Sequence, residues 1–337
     1  MNKVSSVAVA VTIILGVAGC GWGNSRNLSS ETPGNSSPVA STWKPTKDIK
    51  VIVAYKTGSG TDTSARVLLA NAKKYIGQSL VVENLDGADG KIGYTALARA
   101  KPDGYTIGFI NLPTFTTLAL DPDSPFNIKS VVPICNHLSE PSVVVVKNDS
   151  PYNTLQDLID DCKTRQLKCS TNGNRASNHT GAQLFAKSAG FEYKAVPYGG
   201  TADQLQALSQ DEVDFSVPKV GDLTSMVTGD NPELRMLAVF TENRLKKYPD
   251  VPTMKELGLI DTWYGSSRAL VAPANTPQEI IDFYAEALKK TMEDQKCIDD
   301  HELAGFSMAY MGPDALADLL AAQDAFCRDV VVTLYQD

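Results

Sequence analysis

The chain has 337 residues, 43% of them apolar, enough for one or two substantial cores. Its formal net charge of −8, without a cluster of Lys and Arg, excludes a nucleic-acid partner, because such binding draws on basic side chains facing phosphates. The acidity does not exclude an anionic ligand, since local backbone donors and one or two cations outweigh distant charges that salt screens.

In chain order, Lys3 is followed by an apolar run from Val7 to Val17 and then by small residues before Cys20. This predicts a signal peptide over residues 1–19. The run is shorter than the roughly 20 residues that span a bilayer. Val17-Ala18-Gly19-Cys20 resembles a bacterial lipobox, which implies lipidation at Cys20; the alternative is an ordinary secretory signal with Cys20 incidental. Residues 20–43 are rich in Ser, Asn, Gly, Thr and Pro, a composition that forms no core and reads as a flexible tether.

From Ile49 onward, apolar strand alternates with amphipathic helix. Ile49–Val53 reads as a strand, and Ala65, Leu68, Leu69, Ala72 and Ile76 recur at helical spacing until Gly77. Leu80–Val82, a helix over Ile92–Ala100 and a strand over Tyr105–Ile110 continue the series, which favours a mostly parallel sheet covered on both faces. A second α/β series follows: Val143–Val146, a helix Thr154–Cys162, a strand near Lys168–Ser170, a helix Gly181–Ala189, and strands at Val213–Val217 and Met236–Val239. After Ala269–Ala272 the pattern turns helical, ending in a helix from Asp314 to about Leu334.

Two strand-to-helix turns carry the candidate site. In Tyr55-Lys56-Thr57-Gly58-Ser59-Gly60-Thr61-Asp62 the first N–H groups of the following helix have no intrahelical partner, the glycines admit close approach, and the dipole favours a carboxylate. The same turn would also serve as a plain helix start capped by Thr61 or Asp62. Asn172-Gly173-Asn174 with Ser177 and His179 forms the equivalent turn in the second series; His179 either donates to an anion or fixes the loop. Tyr198 and Gly199, in a third turn, offer a ring and a hydroxyl or fill core, while Asn111 and Lys219 stand at strand ends that face the same side. Ligands of α/β sheets lie beyond the carboxyl ends of strands, so a site between these turns has a topological basis.

Besides Cys20 there are Cys135, Cys162, Cys169, Cys297 and Cys327, an odd number in a compartment that permits disulfides. Cys162 with Cys169, and Cys297 with Cys327, are possible pairs. No Cys/His spacing suggests a metal site, and no cofactor motif is present.

An ordered set of motifs runs from about Trp43 to Tyr335. It comprises Val53-Ala54-Tyr55-Lys56-Thr57-Gly58-Ser59-Gly60-Thr61-Asp62, Val82-Glu83-Asn84-Leu85-Asp86-Gly87-Ala88-Asp89-Gly90, Lys101-Pro102-Asp103-Gly104-Tyr105-Thr106, Val196-Pro197-Tyr198-Gly199-Gly200, Pro249-Asp250-Val251-Pro252-Thr253 and Ala272-Pro273-Ala274-Asn275-Thr276-Pro277. In this order the set resembles the solute receptors of tripartite tricarboxylate transporters, the Bug family. The resemblance implies a periplasmic-binding-protein fold of the second type: two α/β lobes joined by two crossover strands, with a ligand cleft between them. Lobe 1 would be 44–144 and 271–337, and lobe 2 145–270. It further implies a monomeric, extracytoplasmic receptor that closes on a small carboxylate and serves integral membrane subunits. Ala54 and Lys56 stand where prolines are usual in that family, Asp203 replaces a common proline, and the segment Trp263–Arg268 is shifted. Lys56 and Arg268 are thereby candidate extra cations for a dicarboxylate or tricarboxylate.

A rival reading is a secreted serine enzyme, since Lys56-Thr57-Gly58, Ser170-Thr171-Asn172 and Ser41-Thr42-Trp43-Lys44 imitate penicillin-binding-protein elements. Their order is wrong for that family, Ser41 lies in the tether, and no Gly-x-Ser-x-Gly elbow occurs. The same fold serving as a sensor for a signalling partner is not separable from transport by sequence.

Overall fold

The computed structural model describes residues 43–335 apart from 174–175 and 262. The expected signal peptide, Cys20 and nearly all of the tether lie outside the described residues, as does Asn174. Trp43, assigned to the tether, instead packs against Tyr105, Phe283 and Tyr284, with ring centroids 5.3–5.9 Å away.

The chain opens with β1 (Ile49–Val53), α1 (Gly60–Ile76), β2 (Leu80–Asn84), α2 (Lys91–Ala98), β3 (Thr106–Leu112), α3 (Thr114–Ala119) and β4 (Val131–Pro141). Ser59 Oγ accepts from Asp62 N at the head of α1, and Gly77 closes the helix at φ 81° with its N–H on Lys73 O. The second series comprises β5 (Val143–Lys147), α4 (Leu155–Thr164), β6 (Leu167–Thr171), α5 (Ser177–Ala189), β7 (Tyr193–Pro197), α6 (Thr201–Ser209), β8 (Phe215–Ser216), α7 (Thr224–Val227) and β9 (Leu234–Val239). The chain then returns through β10 (Gly265–Pro273), α8 (Gln278–Glu293), α9 (Gln295–Leu303), β11 (Met308–Met311) and α10 (Pro313–Phe326).

Two sheets result, in the orders β11-β4-β10-β3-β1-β2 and β7-β6-β8-β5-β9. Each is mixed rather than mostly parallel. The βαβ strands β2, β1 and β3 are parallel, as are β7, β6 and β8, whereas β10 and β5 run against them. These antiparallel members come from the crossovers, whose direction is set by the passage between lobes and not by a βαβ connection. The crossings lie side by side, with Ser142 N donating to Tyr264 O and Phe240 N to Ser142 O, both at 2.9 Å. They fall before the expected boundaries at 144/145 and 270/271.

Alternation along the central strands supplies both faces of each sheet. Ile49, Val51 and Val53 enter one apolar layer and Ile52 and Ala54 the other; in the second sheet Val144 and Val146 oppose Val143 and Val145. The expected strand Val213–Val217 is limited to Phe215–Ser216, because Pro218 has no N–H to extend the ladder. The last helix stops at Phe326 and continues as a wide turn, Cys327–Val331, and a tight one, Val332–Tyr335. This tail leaves lobe 1: Phe326 packs on the core of the second lobe, and Tyr335 Oη lies 3.0 Å from Thr180 Oγ1.

All five described cysteines are buried thiols, so neither suggested disulfide is formed. Cys297 packs beside His301 and Met308, while Cys327 Sγ lies against the hydroxyls of Thr116 and Thr117. Cys162 and Cys169 are both absorbed as small apolar residues in the second lobe's core.

Candidate functional site between the lobes

The carboxyl ends of β1 and β3 in the first lobe face those of β6 and β8 in the second, and a cavity of about 30 Å3 lies between them. Of the residues singled out in the sequence, Tyr55, Ser59, Gly60, Thr61, Asn111, Asn172, Ser177, Gly199 and Lys219 line it. Arg268, a candidate extra cation, lines it too, and Asn178, Gly200, Thr201, Asp222 and Ser266 join them. Gly60 and Thr61 stand at the head of α1, where N–H groups find no carbonyl within the helix. Asn111 Nδ2 donates to Thr61 Oγ1 at 2.8 Å, tying β3 to this turn. Tyr55 Oη lies 2.9 Å from Tyr94 Oη, and burial pushes the Tyr55 phenol up to about 12, so it stays protonated. From the second lobe, Ser177 N reaches across to Thr114 Oγ1 at 3.1 Å.

Thr57, Gly58, Asp62, Gly173, His179 and Tyr198 are placed off the cavity wall. Asp62 turns back into its own loop, accepting from Gly58 N at 2.9 Å, Arg66 Nε at 3.0 Å and Asn84 Nδ2 at 3.0 Å. Burial works against its charge, but the donors from Arg66, Gly58 and Asn84 outweigh that and hold the carboxyl below its usual range. Asp62 therefore shapes the turn that the cavity uses. Thr57 Oγ1 donates to Asn84 Oδ1 in the same network. Gly173, at φ 109°, sits where a Cβ would collide with the Asp89 carboxylate of the first lobe. His179 packs against Tyr193 and Tyr335, and burial lowers it to about 4, which leaves a neutral ring rather than an anion-holding cation. Tyr198 Oη donates outward to Glu212 Oε2 at 3.1 Å.

Four ionisable groups gather at the floor. Arg268, on β10, donates through Nη1 to Gly60 O at 3.1 Å and Ser64 Oγ at 3.3 Å, and through Nη2 to Asp222 Oδ1 at 2.7 Å. Its Nη2 also lies 3.2 Å from Glu140 Oε2, and its guanidinium stacks on Phe306. Lys219 Nζ donates to Asn178 Oδ1 at 2.6 Å, and Asn178 Nδ2 in turn to Gln204 Oε1 at 3.0 Å. Burial pushes Glu140 up to about 7 against the pull of Arg268, and pulls Lys219 down to about 7 against the attraction of Asp222. Lys56 pairs with Asp203 of the opposite lobe at the rim. Both cations expected to be extra thus already hold carboxylates of the chain. Asp222, Glu140, Asn178 and Ser266 were missed, although a signal for Glu140 existed. Arg268 and Glu140 are charges within otherwise uncharged crossover strands, and a buried charge requires a partner.

The family model described as tripartite tricarboxylate transporter family receptor matches residues 64–331. The chain belongs to this receptor family. A Cupriavidus necator member, described as UPF0065 protein in gbd 5'region, is 32% identical over 256 residues, covering 74% of this chain and 76% of that protein. The solved structure of periplasmic binding protein BugD superposes with a TM-score of 0.80 at 25% identity, over 86% of this chain and 98% of that one. MatC from Rhodopseudomonas palustris, solved with bound malate, matches in fold with a TM-score of 0.77 at 24% identity, over 85% of this chain and 99% of its own. As a member of this family of substrate-binding receptors, the chain has a two-lobed α/β binding-protein fold. Among the described residues no helix is long and apolar enough to cross a membrane, and no group of three or more His, Cys, Asp or Glu could hold a metal ion.

Proposed function

We propose that this receptor captures a small carboxylated organic compound in the cavity between its lobes and presents it to the membrane subunits of a tripartite transporter. The supporting observation is that one strand-to-helix turn from each lobe borders the same cavity, through Ser59, Gly60 and Thr61 and through Asn172 and Ser177, together with Lys219. Buried N–H groups at a helix head, and a buried amine that takes up its proton fully beside an arriving anion, are complementary to a carboxylate and act strongly where water is scarce. Asn111 Oδ1, Asn172 Oδ1 and Ser266 Oγ are buried without a hydrogen-bond partner among the described residues, and all three residues line the cavity. They suit hydroxyl or amide groups on the rest of the ligand. Malate in MatC, a hydroxylated dicarboxylate, shows that the same fold holds carboxylate and hydroxyl together.

Capture proceeds by clamshell closure: contacts made only when both turns meet the ligand draw the population toward the closed form that the transporter recognises. In this reading the protein is an extracytoplasmic monomer, anchored through lipid on Cys20 by the segment before Trp43. The test is thermal unfolding of the full chain in detergent, followed by tryptophan fluorescence, against carboxylates and their amide analogues. A ligand at a hundred times its Kd stabilises the fold by about 2.7 kcal/mol. A concentration-dependent rise in Tm with a carboxylate, absent with its fully amidated analogue, is the expected outcome. A response to neutral compounds alone overturns the reading.

A further inference from the structure

The floor of the cavity holds a carboxylate of the protein's own. Asp222, in the tight turn after β8, comes from the second lobe, yet it meets Arg268 of the first-lobe sheet at 2.7 Å. It lies over the head of α1: a Cβ added at Gly60 would collide with Asp222 Oδ1 and fall 2.8 Å from Arg268 Nη2. The terminal N–H groups of Arg268 are directed to Gly60 O, Ser64 Oγ, Asp222 and Glu140. Lys219 differs. An ammonium carries three donors, and its one described hydrogen bond goes to the neutral amide of Asn178. Among the described residues, the cavity therefore offers Lys219 to an incoming anion, while Arg268 is already matched from within the chain.

Asp222 also lines a larger groove of about 410 Å3, which shares Gly60, Thr201 and Asp222 with the cavity and has Glu302 on its far side. Because the two spaces share Asp222, this residue stands at the passage that the far end of an extended ligand would take. A second carboxylate there would face a fixed, buried carboxylate, and like charges at such distances disfavour each other's ionised form strongly.

We propose that Asp222 sets the charge class of the ligand: the receptor selects a monocarboxylate with an uncharged, hydrogen-bonding remainder and rejects dicarboxylates. The inference rests on the carboxylate-receptor reading above. Selection here comes from a repulsive element as much as from an attractive one.

The test is calorimetric titration of the full chain in detergent with succinate, glutarate and adipate, each against its monoamide. The wild type should bind the tighter monoamides at least about tenfold better than the matching dianions. Asp222→Asn, nearly isosteric, should shift that ratio at least about tenfold toward the dianions, by removing the carboxylate that faces the ligand and leaving Arg268 Nη2 with Glu140 alone. Dianions bound as well as monoamides by the wild type overturn the inference, and this arm needs no variant to fold. A folded Asp222→Asn protein with an unchanged ratio overturns it as well. If these acids fail while a neutral compound binds, the carboxylate reading itself is lost and the inference goes with it.

Discussion

His137 and His301 meet ring to ring in the first lobe, Nε2 to Nε2 at 2.8 Å, with both rings buried. Their tautomers follow from the neighbours. His301 Nδ1 lies 2.7 Å from Cys297 O, which can only accept, so Nδ1 carries the proton and His301 Nε2 accepts from His137 Nε2–H. This leaves His137 Nδ1 unprotonated, in keeping with its lack of a partner among the described residues. Burial, then the neighbouring His301 and Arg268, keeps His137 well below its ordinary value, and burial lowers His301 despite its bond to Cys297 O. Since both folded values lie below the unfolded one of about 6.5, the unfolded chain takes up protons that the folded chain refuses. Their contribution is present above about pH 6.5 and is lost as the pH falls below it, by at most about 1.4 kcal/mol per pH unit for each ring. Glu140, raised to about 7, acts in the opposite sense over the same window, so the wild-type curve alone is a sum. Urea unfolding at several pH values between 7.5 and 5.5 should show the wild type losing stability relative to His301→Gln on acidification; parallel curves would refute the assignment. Much of the cavity was legible at this scale because small polar residues before a helix announce a turn. Such local signals do not say which way a side chain turns: Asp62 was read toward the ligand and points into its own loop. Asp222 was not legible at all, since its meaning depends on Gly60 and Arg268, both far away in sequence.

Elements carry the next consequences. The α/β alternation was readable because each central strand has apolar residues for two faces and each covering helix has an apolar stripe, as Leu68, Leu69 and Ala72 show in α1. Strand direction at the crossovers was not, because nothing in the sequences of β4, β5 and β10 marks their orientation, which is fixed only by the passage between lobes. The fit of α2 on β1 depends on Gly93. A Cβ there would fall 2.6 Å from Ala54 Cα and 2.8 Å from Leu85 O, and both obstacles are backbone that cannot swing aside. Gly93→Ala should therefore cost about 1–3 kcal/mol in urea unfolding, the usual penalty for overpacking. Because Ala54 leads directly into Tyr55 at the cavity, carboxylate affinity should fall in the same variant. Loss of stability with unchanged affinity would show that the turn after β1 is held independently of α2.

At the scale of the whole molecule, the question is what holds the lobes together. Among the described residues two ion pairs cross the cleft, and their settings differ. Arg268 and Asp222 are buried, with side chains 3% and 6% exposed, and are little affected by salt. Lys56 and Asp203 sit at the rim, 40% and 41% exposed, and contribute on the order of 1 kcal/mol or less. Asp203→Asn should shift the protein toward the open form, seen as a larger radius of gyration by small-angle scattering without ligand, and raise Kd by no more than about fivefold. Salt supplies the control. Raising ionic strength from about 0.05 to about 0.5 M should open the wild type toward the dimensions of the variant, because it screens the rim pair. The variant has no such pair, and its dimensions should stay constant across the same range. An equal response in both proteins would assign closure to the buried pair and the crossovers alone, with Lys56 and Asp203 as passive neighbours at the rim.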